Sequence, residues 1–294
     1  MGLGVDTASS LSSINWVDFY DWKNAYPTFA GRYFGGGGGL GYSTGEFKSV
    51  NEKTGMTLIF PIQGAAYGTS NTGRFYYGQQ YYSTEGTTGY HYGVHDATQL
   101  CDTMANALST TELHIPSSGL VIAYLDVESD LNSLKSAYWA GWANTVHTYQ
   151  LSGTSTKPFV PGIYCGYTTS GGKYVVPSDI QTVFDNAAGY WTHSNVRCRG
   201  LWTAEPFLCK YCTSTADVSS DWGQFATAKQ TLQTGTVEVP LYLWQYAEHG
   251  EHTSKVTSGC TYYCGYSNFA GGQNLDLDGS DSRDGETYMF NIVS

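Results

Sequence analysis

The sequence has little positive charge and no long hydrophobic run. Its 294 residues include 14 lysines and arginines against 25 aspartates and glutamates, a formal net charge of -11, and no basic block is present. Nucleic acids and anionic membrane surfaces are therefore not expected as partners. No apolar run reaches the roughly 18 residues that a membrane-spanning helix needs, so no membrane insertion is predicted.

Several catalytic and cofactor-binding motifs are also missing. The sequence contains no H-E-x-x-H motif. Gly35–Gly41 formally matches G-x-G-x-x-G, but no helical pattern and no P-loop lysine follow it, so we interpret it as a loop. The pairs His91/His95 and His249/His252 lack a matched acid on a helix, and we interpret them as solvent or loop histidines. We therefore expect no cofactor and no resident metal.

We expect no secretory leader in this sequence, since the first predicted strand starts at Gly2. We interpret this as a leader that has been removed, or as export by another route. Only 13% of the residues are charged, and Ser, Thr, Gly and Tyr are abundant. This composition favours a secreted, extracellular protein.

The run Gly119–Glu128 is the most informative segment, because an apolar body ends in two acids. Such a body is typical of a parallel strand buried on both faces. Since strand side chains alternate, Asp126 and Glu128 point to one side, with Cα atoms roughly 6.5 to 7 Å apart. Like charges this close raise one carboxyl pKa, as acid catalysis of glycoside cleavage requires. The alternative is a strand end that meets solvent, where acids are common.

Strand-like and helix-like segments alternate along the chain. The predicted strands are Gly2–Asp6, Phe29–Phe34, Met56–Ile62, Leu120–Asp126, Pro158–Tyr164, Gly200–Thr203, Leu241–Tyr246 and Asn274–Asp278. The predicted helices are Ser13–Tyr26, His95–Leu108, Leu131–Tyr149, Ser178–Ala187 and Val218–Leu232. This alternation predicts an α/β fold, a single (β/α)8 TIM-like barrel domain over residues 1–294 with long Tyr- and Gly-rich loops. Asp6, Asp126, Glu128 and Asp276 are then expected around one mouth of the barrel, where the strands' carboxyl ends meet.

Short motifs along the chain resemble those of a known family in the same order. They are Gly4-Val5-Asp6-Thr7, Gly31-Arg32-Tyr33-Phe34, Gly93-Val94-His95-Asp96-Ala97, Tyr124-Leu125-Asp126-Val127-Glu128 and Gly162-Ile163-Tyr164. The chain is similar to the glycoside-hydrolase-like family of unknown function (DUF1906), whose barrel resembles that of the glycoside hydrolase family 25 lysozymes. Trp244-Gln245-Tyr246 and Leu275-Asp276-Leu277-Asp278 resemble the end of the family 25 barrel. The resemblance spans the chain, although Tyr67–Tyr92 departs from the lysozymes.

The resemblance implies retaining hydrolysis of a β-linked aminosugar polymer such as peptidoglycan. Glu128 would be the general acid that protonates the leaving oxygen. Asp126 would stabilise the positive charge that arises when the substrate N-acetyl group attacks the anomeric carbon, or would attack directly. Asp6 and Asp276 would hold sugar hydroxyls, position water or tune the pKa values of the central pair. Asp276 and Asp278 share one strand face, so only the resemblance favours Asp276 as the inward acid.

Aromatic residues make up 15% of the chain and include 25 tyrosines. Flat rings with a polar edge suit sugar faces, although tyrosine-rich surface loops are the alternative for those at Tyr76–Tyr92. The candidate substrate-binding residues in the family-like motifs are Trp244, Tyr246, Tyr164, Tyr33 and Asp278. Trp244 is the preferred platform for a sugar ring, and Gln245 and Tyr246 cannot both share its strand face.

The seven cysteines leave two interpretations open. Five lie in the last third of the chain: Cys198, Cys209, Cys212, Cys260 and Cys264. Disulfides that fix long loops are one interpretation, and a zinc site of Cys209, Cys212, Cys260 and Cys264 is the other. Cys101 and Cys165 are candidates for buried free thiols.

Two functions of different classes fit these observations. The first is an active, muramidase-like glycosidase that acts on a cell-wall polysaccharide. The second is an inactive barrel that serves as an extracellular carbohydrate-binding, structural or assembly protein. Four converging acids favour the enzyme, because a purely structural barrel gains nothing from their mutual repulsion. A cluster of acids is also able to bind a cation or an amino sugar without cleaving it.

Overall fold

The computed structural model describes residues 2–7, 9–35, 42–64, 86–127, 134–166, 168–170, 173–175, 184, 198–204, 230–231, 238–239, 241–247, 256–257, 260–261, 275–280 and 285–293. Several predictions fall outside these residues. They concern Glu128, glycines 36–41, tyrosines 76–82, histidines 249 and 252, cysteines 209, 212 and 264, and most of the predicted helices Ser178–Ala187 and Val218–Leu232.

The strands are numbered in chain order. They are β1 (Gly2–Thr7), β2 (Phe29–Gly35), β3 (Leu58–Gly64), β4 (Leu113–His114), β5 (Val121–Val127), β6 (Phe159–Gly166), β7 (Thr168–Ser170), β8 (Lys173–Val175), β9 (Leu201–Ala204), β10 (Gln230–Thr231), β11 (Glu238–Val239), β12 (Leu241–Ala247), β13 (Val256–Thr257), β14 (Cys260–Thr261), β15 (Asp276–Ser280) and β16 (Phe290–Ile292). The eight predicted strands are all confirmed, as β1, β2, β3, β5, β6, β9, β12 and β15.

These eight strands pair in a ring. Parallel pairing runs from β1 through β2, β3, β5, β6 and β9 to β12. β15 then pairs antiparallel with both β12 and β1. The predicted α/β class is confirmed, with seven parallel strands, but the regular all-parallel (β/α)8 TIM barrel is wrong.

The direction of β15 has a physical reason. Parallel neighbours need a long crossover, usually a helix, whereas antiparallel neighbours do not. Between β12 and β15 the described residues form the short antiparallel pair β13–β14 and no helix. The antiparallel course of β15 does not require such a crossover.

Helices cover the first half of the ring. They are α1 (Trp16–Lys23), α2 (Glu46–Thr54), α3 (Gly86–Ser109) and α4 (Ser136–Thr148), with 3-10 turns at Leu11–Ser13 and Glu286–Tyr288. Three predicted helices are confirmed as α1, α3 and α4, whereas α2 was not predicted and α3 begins before His95. The predicted helix Val218–Leu232 is wrong at its end, because Gln230 and Thr231 form β10.

The strands bury both faces. Ile122 and Tyr124 of β5 belong to the cluster inside the ring, and Val121, Ala123 and Leu125 belong to the outer cluster under the helices. The inner cluster consists of Phe29, Phe60, Ile62, Ile122, Tyr124, Val160, Tyr164, Trp202, Leu243 and Met289. Its centre is aromatic, since the Phe60 ring meets those of Tyr124 and Trp202 edge to face. This confirms the prediction of a strand that is buried on both faces and carries Asp126 near its end.

The helices α3 and α4 pack backbone to backbone. A Cβ atom at Gly93 would lie 2.1 Å from the Tyr138 carbonyl oxygen, and one at Gly141 would lie 2.1 Å from that of Tyr90. Only glycine allows this approach. Between the helices, the buried Asp96 accepts a 2.8 Å hydrogen bond from the Tyr138 hydroxyl.

A buried ion pair joins α2 to the ring. Arg32 of β2 donates from Nε to Glu46 Oε1 at 2.7 Å, and both residues are buried. The Glu46 carboxylate also accepts from the Leu11 and Ser43 amides, at 2.7 and 3.1 Å. Glu46 is thus satisfied by three separate segments, which offsets the cost of burying its charge.

Two cysteines are described with their side chains, and both are free and buried. They are Cys101 on α3 and Cys198, whose thiol donates to the Gly200 carbonyl at 3.4 Å. The free thiol predicted at Cys101 is confirmed. A disulfide at Cys198 is wrong, since this residue packs into the outer cluster before β9 rather than into a loop.

Among the described residues, no helix combines the length and apolarity that crossing a membrane requires.

Candidate functional site

Three aspartates come together at one end of the ring. Asp6 is the second-last residue of β1, and Asp126 is the second-last residue of β5. Asp278 comes from the middle of β15, which runs the other way. Asp6 is 3% exposed, Asp126 is 5% exposed and Asp278 is fully buried. We refer to Asp6, Asp126 and Asp278 as the acidic cluster.

Asp6 has two polar neighbours of different kinds. Gln245 of β12 donates from Nε2 to Asp6 Oδ2 at 3.0 Å, and the Asp278 carboxyl forms a side-chain hydrogen bond with the Asp6 carboxyl. Gln245 in turn accepts at Oε1 from the Tyr164 hydroxyl of β6, at 2.6 Å. One hydrogen-bonded chain therefore runs from Tyr164 to Asp278.

Each of the other two acids accepts from an aromatic side chain. Trp202 of β9 donates its indole N–H to Asp278 Oδ1 at 2.9 Å. Tyr33 of β2 donates its hydroxyl to Asp126 Oδ2 at 2.8 Å. Both donors stabilise a carboxylate in a place where water is largely excluded.

Burial dominates the electrostatics of Asp6. Desolvation raises the pKa of its carboxyl well above the ordinary value, and the charge and hydrogen bond of Asp278 raise it further. The hydrogen bond from Gln245 lowers the Asp6 pKa, and the charge of Asp126 raises it. Asp6 therefore keeps its proton at pH values at which an exposed aspartate is ionised.

A glycine makes room for Asp6. A Cβ atom at Gly31 of β2 would lie 2.8 Å from Asp6 Cβ and 2.4 Å from Phe60 Cζ. Both approaches are too close for any side chain at position 31. Gly31 thus lets the β1 acid and the inner aromatic cluster occupy neighbouring space.

The predicted site residues fall into three groups. Asp6, Asp126, Asp278, Tyr33 and Tyr164 are brought together in one hydrogen-bonded region. Trp244, Tyr246 and Asp276 are described for their backbone only, and Glu128 lies outside the described residues. Asp278, on the same strand as Asp276, accepts from the Trp202 indole and raises the pKa of Asp6.

Two residues of the site were not predicted as site residues. Gln245 belongs to the motif Trp244-Gln245-Tyr246, and Trp202 belongs to the predicted strand Gly200–Thr203. Gln245 lies two positions after Leu243, which belongs to the inner cluster. Because side chains alternate along a strand, this spacing indicated that the Gln245 amide also points into the ring.

Among the residues described, no three His, Cys, Asp or Glu side chains are arranged to hold a metal ion.

Comparisons with known proteins extend the description of the fold. No family model and no curated protein matches the chain. The chain is similar to a 1.07 Å crystal structure of an uncharacterized protein from B. stearothermophilus, with a TM-score of 0.53 and 15% sequence identity. The match covers 98% of this chain and 100% of the other. At this identity the likeness shows the fold alone.

Proposed function

We propose that the protein is a secreted glycoside hydrolase that cleaves a β-linked aminosugar polymer such as peptidoglycan, in a muramidase-like, retaining reaction. The main support for the proposal is that Asp126, Asp6 and Asp278 lie close together, and largely buried, at the polar end of the ring. Glycoside cleavage needs carboxyl groups in different protonation states within a short distance of each other. The resemblance to the family 25 lysozymes supports the same chemistry.

The roles follow from position. Asp126, held by Tyr33, stabilises positive charge at the anomeric carbon while the substrate N-acetyl group attacks it. Glu128, two residues further along, donates a proton to the leaving oxygen. Asp6 and Asp278 set the electrostatic field around these two acids. Trp244 and Tyr246 are proposed to contact the sugar rings.

The test is the release of reducing ends from peptidoglycan and from chitin-type oligosaccharides. Glu128→Gln and Asp126→Asn are each expected to lower the rate by about 10²- to 10⁴-fold, the usual worth of a positioned acid or base. Asp96→Asn is the matched control, because Asp96 is also buried but lies between α3 and α4. Full activity in Glu128→Gln would remove that residue from the mechanism, and no release from any substrate by the parent would refute the hydrolase.

The second candidate is an extracellular barrel that binds carbohydrate or has a structural role without catalysis. The burial of Asp6 and Asp278, at 3% and 0% exposure, favours it, since neither presents much surface to a substrate. Oligosaccharide binding by the parent protein without any release of reducing ends would select this function.

A further inference from the structure

Three neighbouring strands place Tyr33, Gly64 and Asp126 on the inner face of the ring. Tyr33 of β2 pairs with Ile62 of β3. Gly64, two positions further along β3, pairs with Asp126 of β5. Because Ile62 belongs to the inner cluster and side chains alternate along a strand, all of these positions face inward. Gly64 therefore stands between the tyrosine and the aspartate.

The Tyr33 ring reaches Asp126 across the space next to Gly64. Adjacent strands lie about 4.8 Å apart, so β2 and β5 are separated by roughly twice that distance. The Tyr33 hydroxyl oxygen nevertheless lies 2.8 Å from Asp126 Oδ2. A Cβ atom at Gly64 would lie 2.9 Å from Tyr33 Cε1 and 3.0 Å from Tyr33 Cδ1, closer than carbon atoms ordinarily pack. The ring thus occupies the space that a side chain at position 64 would fill.

The contact with Tyr33 restrains the orientation of the Asp126 carboxyl group. The terminal torsion of an aspartate side chain is broad, so the position of the backbone alone does not fix the plane of the carboxyl group. A hydrogen bond at Oδ2 narrows this choice, whichever of the two oxygens carries the proton. Asp126 is buried, so little water competes for the contact. A carboxyl group held in this way, on a strand of the ring, is preorganised.

We propose that Gly64 is a positioning residue, whose missing side chain lets Tyr33 cross β3 and hold the Asp126 carboxyl group in one orientation. The inference rests on the proposed function for its catalytic consequence, namely that Asp126 faces the anomeric carbon correctly while Tyr33 holds it. A displacement of about 1 Å in an active site can lower a rate by about 10²-fold. Position 64 therefore affects cleavage through Tyr33.

The first measurement is a crystal structure of Gly64→Ala beside that of the parent. Gly64 does not have a positive φ, and the next nearest atom to the new Cβ, the Gly35 carbonyl oxygen, would lie at 3.9 Å. Only the Tyr33 ring therefore has to move. We expect the distance between the Tyr33 hydroxyl oxygen and Asp126 Oδ2 to exceed about 3.0 Å, the upper end of the range for O–H···O hydrogen bonds. A distance that stays at 2.8 Å would overturn the proposal.

The kinetics of reducing-end release test the catalytic consequence. Gly64→Ala and Tyr33→Phe are each expected to lower kcat by about 10- to 100-fold with little change in KM, because the contact acts on charge that develops in the transition state. Tyr33→Phe removes a single oxygen atom, so it tests the contact even if Gly64→Ala impairs folding. The double variant should be no slower than either single variant, since both changes remove the same contact. Tyr20→Phe, at an exposed position of α1, is the control and should keep the kcat of the parent.

Two kinetic results would also overturn the proposal. The kcat of the parent in Gly64→Ala, with the contact broken in its crystal structure, would mean that Asp126 does not need this restraint. Losses that multiply in the double variant would mean that Gly64 acts by a route other than Tyr33. If the parent releases no reducing ends, the proposed hydrolase fails, while the crystal structures still decide whether position 64 controls the contact between Tyr33 and Asp126.

Discussion

Asp6 couples its own ionisation to the stability of the protein. Burial first, and then Asp278, raises the pKa of its carboxyl in the folded protein well above the value it takes in the unfolded chain. The proton on Asp6 stabilises the folded protein fully at pH values below the Asp6 pKa of the unfolded chain. This stabilisation is lost as the pH rises through the Asp6 pKa of the folded protein, because the unfolded chain has by then released its proton. Folding should therefore weaken on the alkaline side of the ordinary aspartate range.

Asp6→Asn is expected to remove this dependence. An asparagine at position 6 cannot ionise, and it can still accept from Gln245 and donate toward Asp278. The melting temperature of the variant should fall less than that of the parent between about pH 4 and pH 8, over which an aspartate in an unfolded chain is mostly ionised. Thermal unfolding across this range measures the effect.

Asp21→Asn, at an exposed position of α1, is the control for the loss of a carboxyl. It should leave the slope of melting temperature against pH as in the parent. If melting temperature falls with pH as steeply in Asp6→Asn as in the parent, Asp6 does not hold its proton in the folded protein.

Single residues of the site differ in how well the sequence predicts them. Asp6 and Asp126 stand out because each ends an apolar strand. Asp276 and Asp278 share a face of one strand, so the alternation of side chains along the strand does not distinguish them. Gln245 carries no charge, and its importance arises from Tyr164 and Asp6, which lie far away in sequence.

Among the elements, α3 and α4 depend on two glycines at their crossing. The Cβ position of Gly93 falls 2.1 Å from the Tyr138 carbonyl oxygen and 2.7 Å from the Trp142 nitrogen. Both atoms belong to the backbone of α4, which cannot rotate out of the way as a side chain can. The distance between the helices is thus set by residue 93 itself.

Gly93→Ala should separate the helices and destabilise the fold by about 1–3 kcal/mol or more, the usual cost of overpacking a core. This loss outweighs the gain of about 1 kcal/mol that alanine brings over glycine within a helix. Urea unfolding measures the difference. Thr98→Ala on the exposed face of α3 is the control and should change stability by less than about 0.5 kcal/mol. A more stable Gly93→Ala variant would show that the helices do not approach this closely.

The same packing explains which helices the sequence failed to predict. The first part of α3 contains Gly86, Gly89 and Gly93, which lower helix propensity, so the pattern indicated a start only at His95. Its extension comes from tertiary contact with α4. The helix α2 places only Glu46, Phe47 and Val50 in the core, too few for an apolar stripe to be recognised.

At the scale of the whole molecule, the ring is completed by the end of the chain. β15 lies between β12 and β1, and β16 pairs with β3 and β4. An apolar run predicts that a strand exists but not its direction, which is why the antiparallel course of β15 was not predicted. The strands could be predicted from apolar runs in the sequence. The closure of the ring depends on contacts between segments that are distant in sequence.

Removal of residues 275–294 is expected to abolish cooperative unfolding, because β1 and β12 would each lose a neighbour and the inner cluster would open. Urea unfolding followed by near-ultraviolet circular dichroism measures this loss. Removal of Ser294 alone, beyond β16, is the control and should unfold as the parent does. A cooperative transition in the longer truncation would show that the parallel strands are stable without closure.

The contact between Trp202 and Asp278 gives the protein an optical reporter. The indole N–H points at one member of the carboxyl pair, so its excited state lies in an electric field that changes when the pair loses its proton. The sequence contains eight tryptophans, and the difference between the emission of the parent and that of Trp202→Phe isolates this one. The protonation state of the polar end can thus be followed in real time, by fluorescence, without any added label.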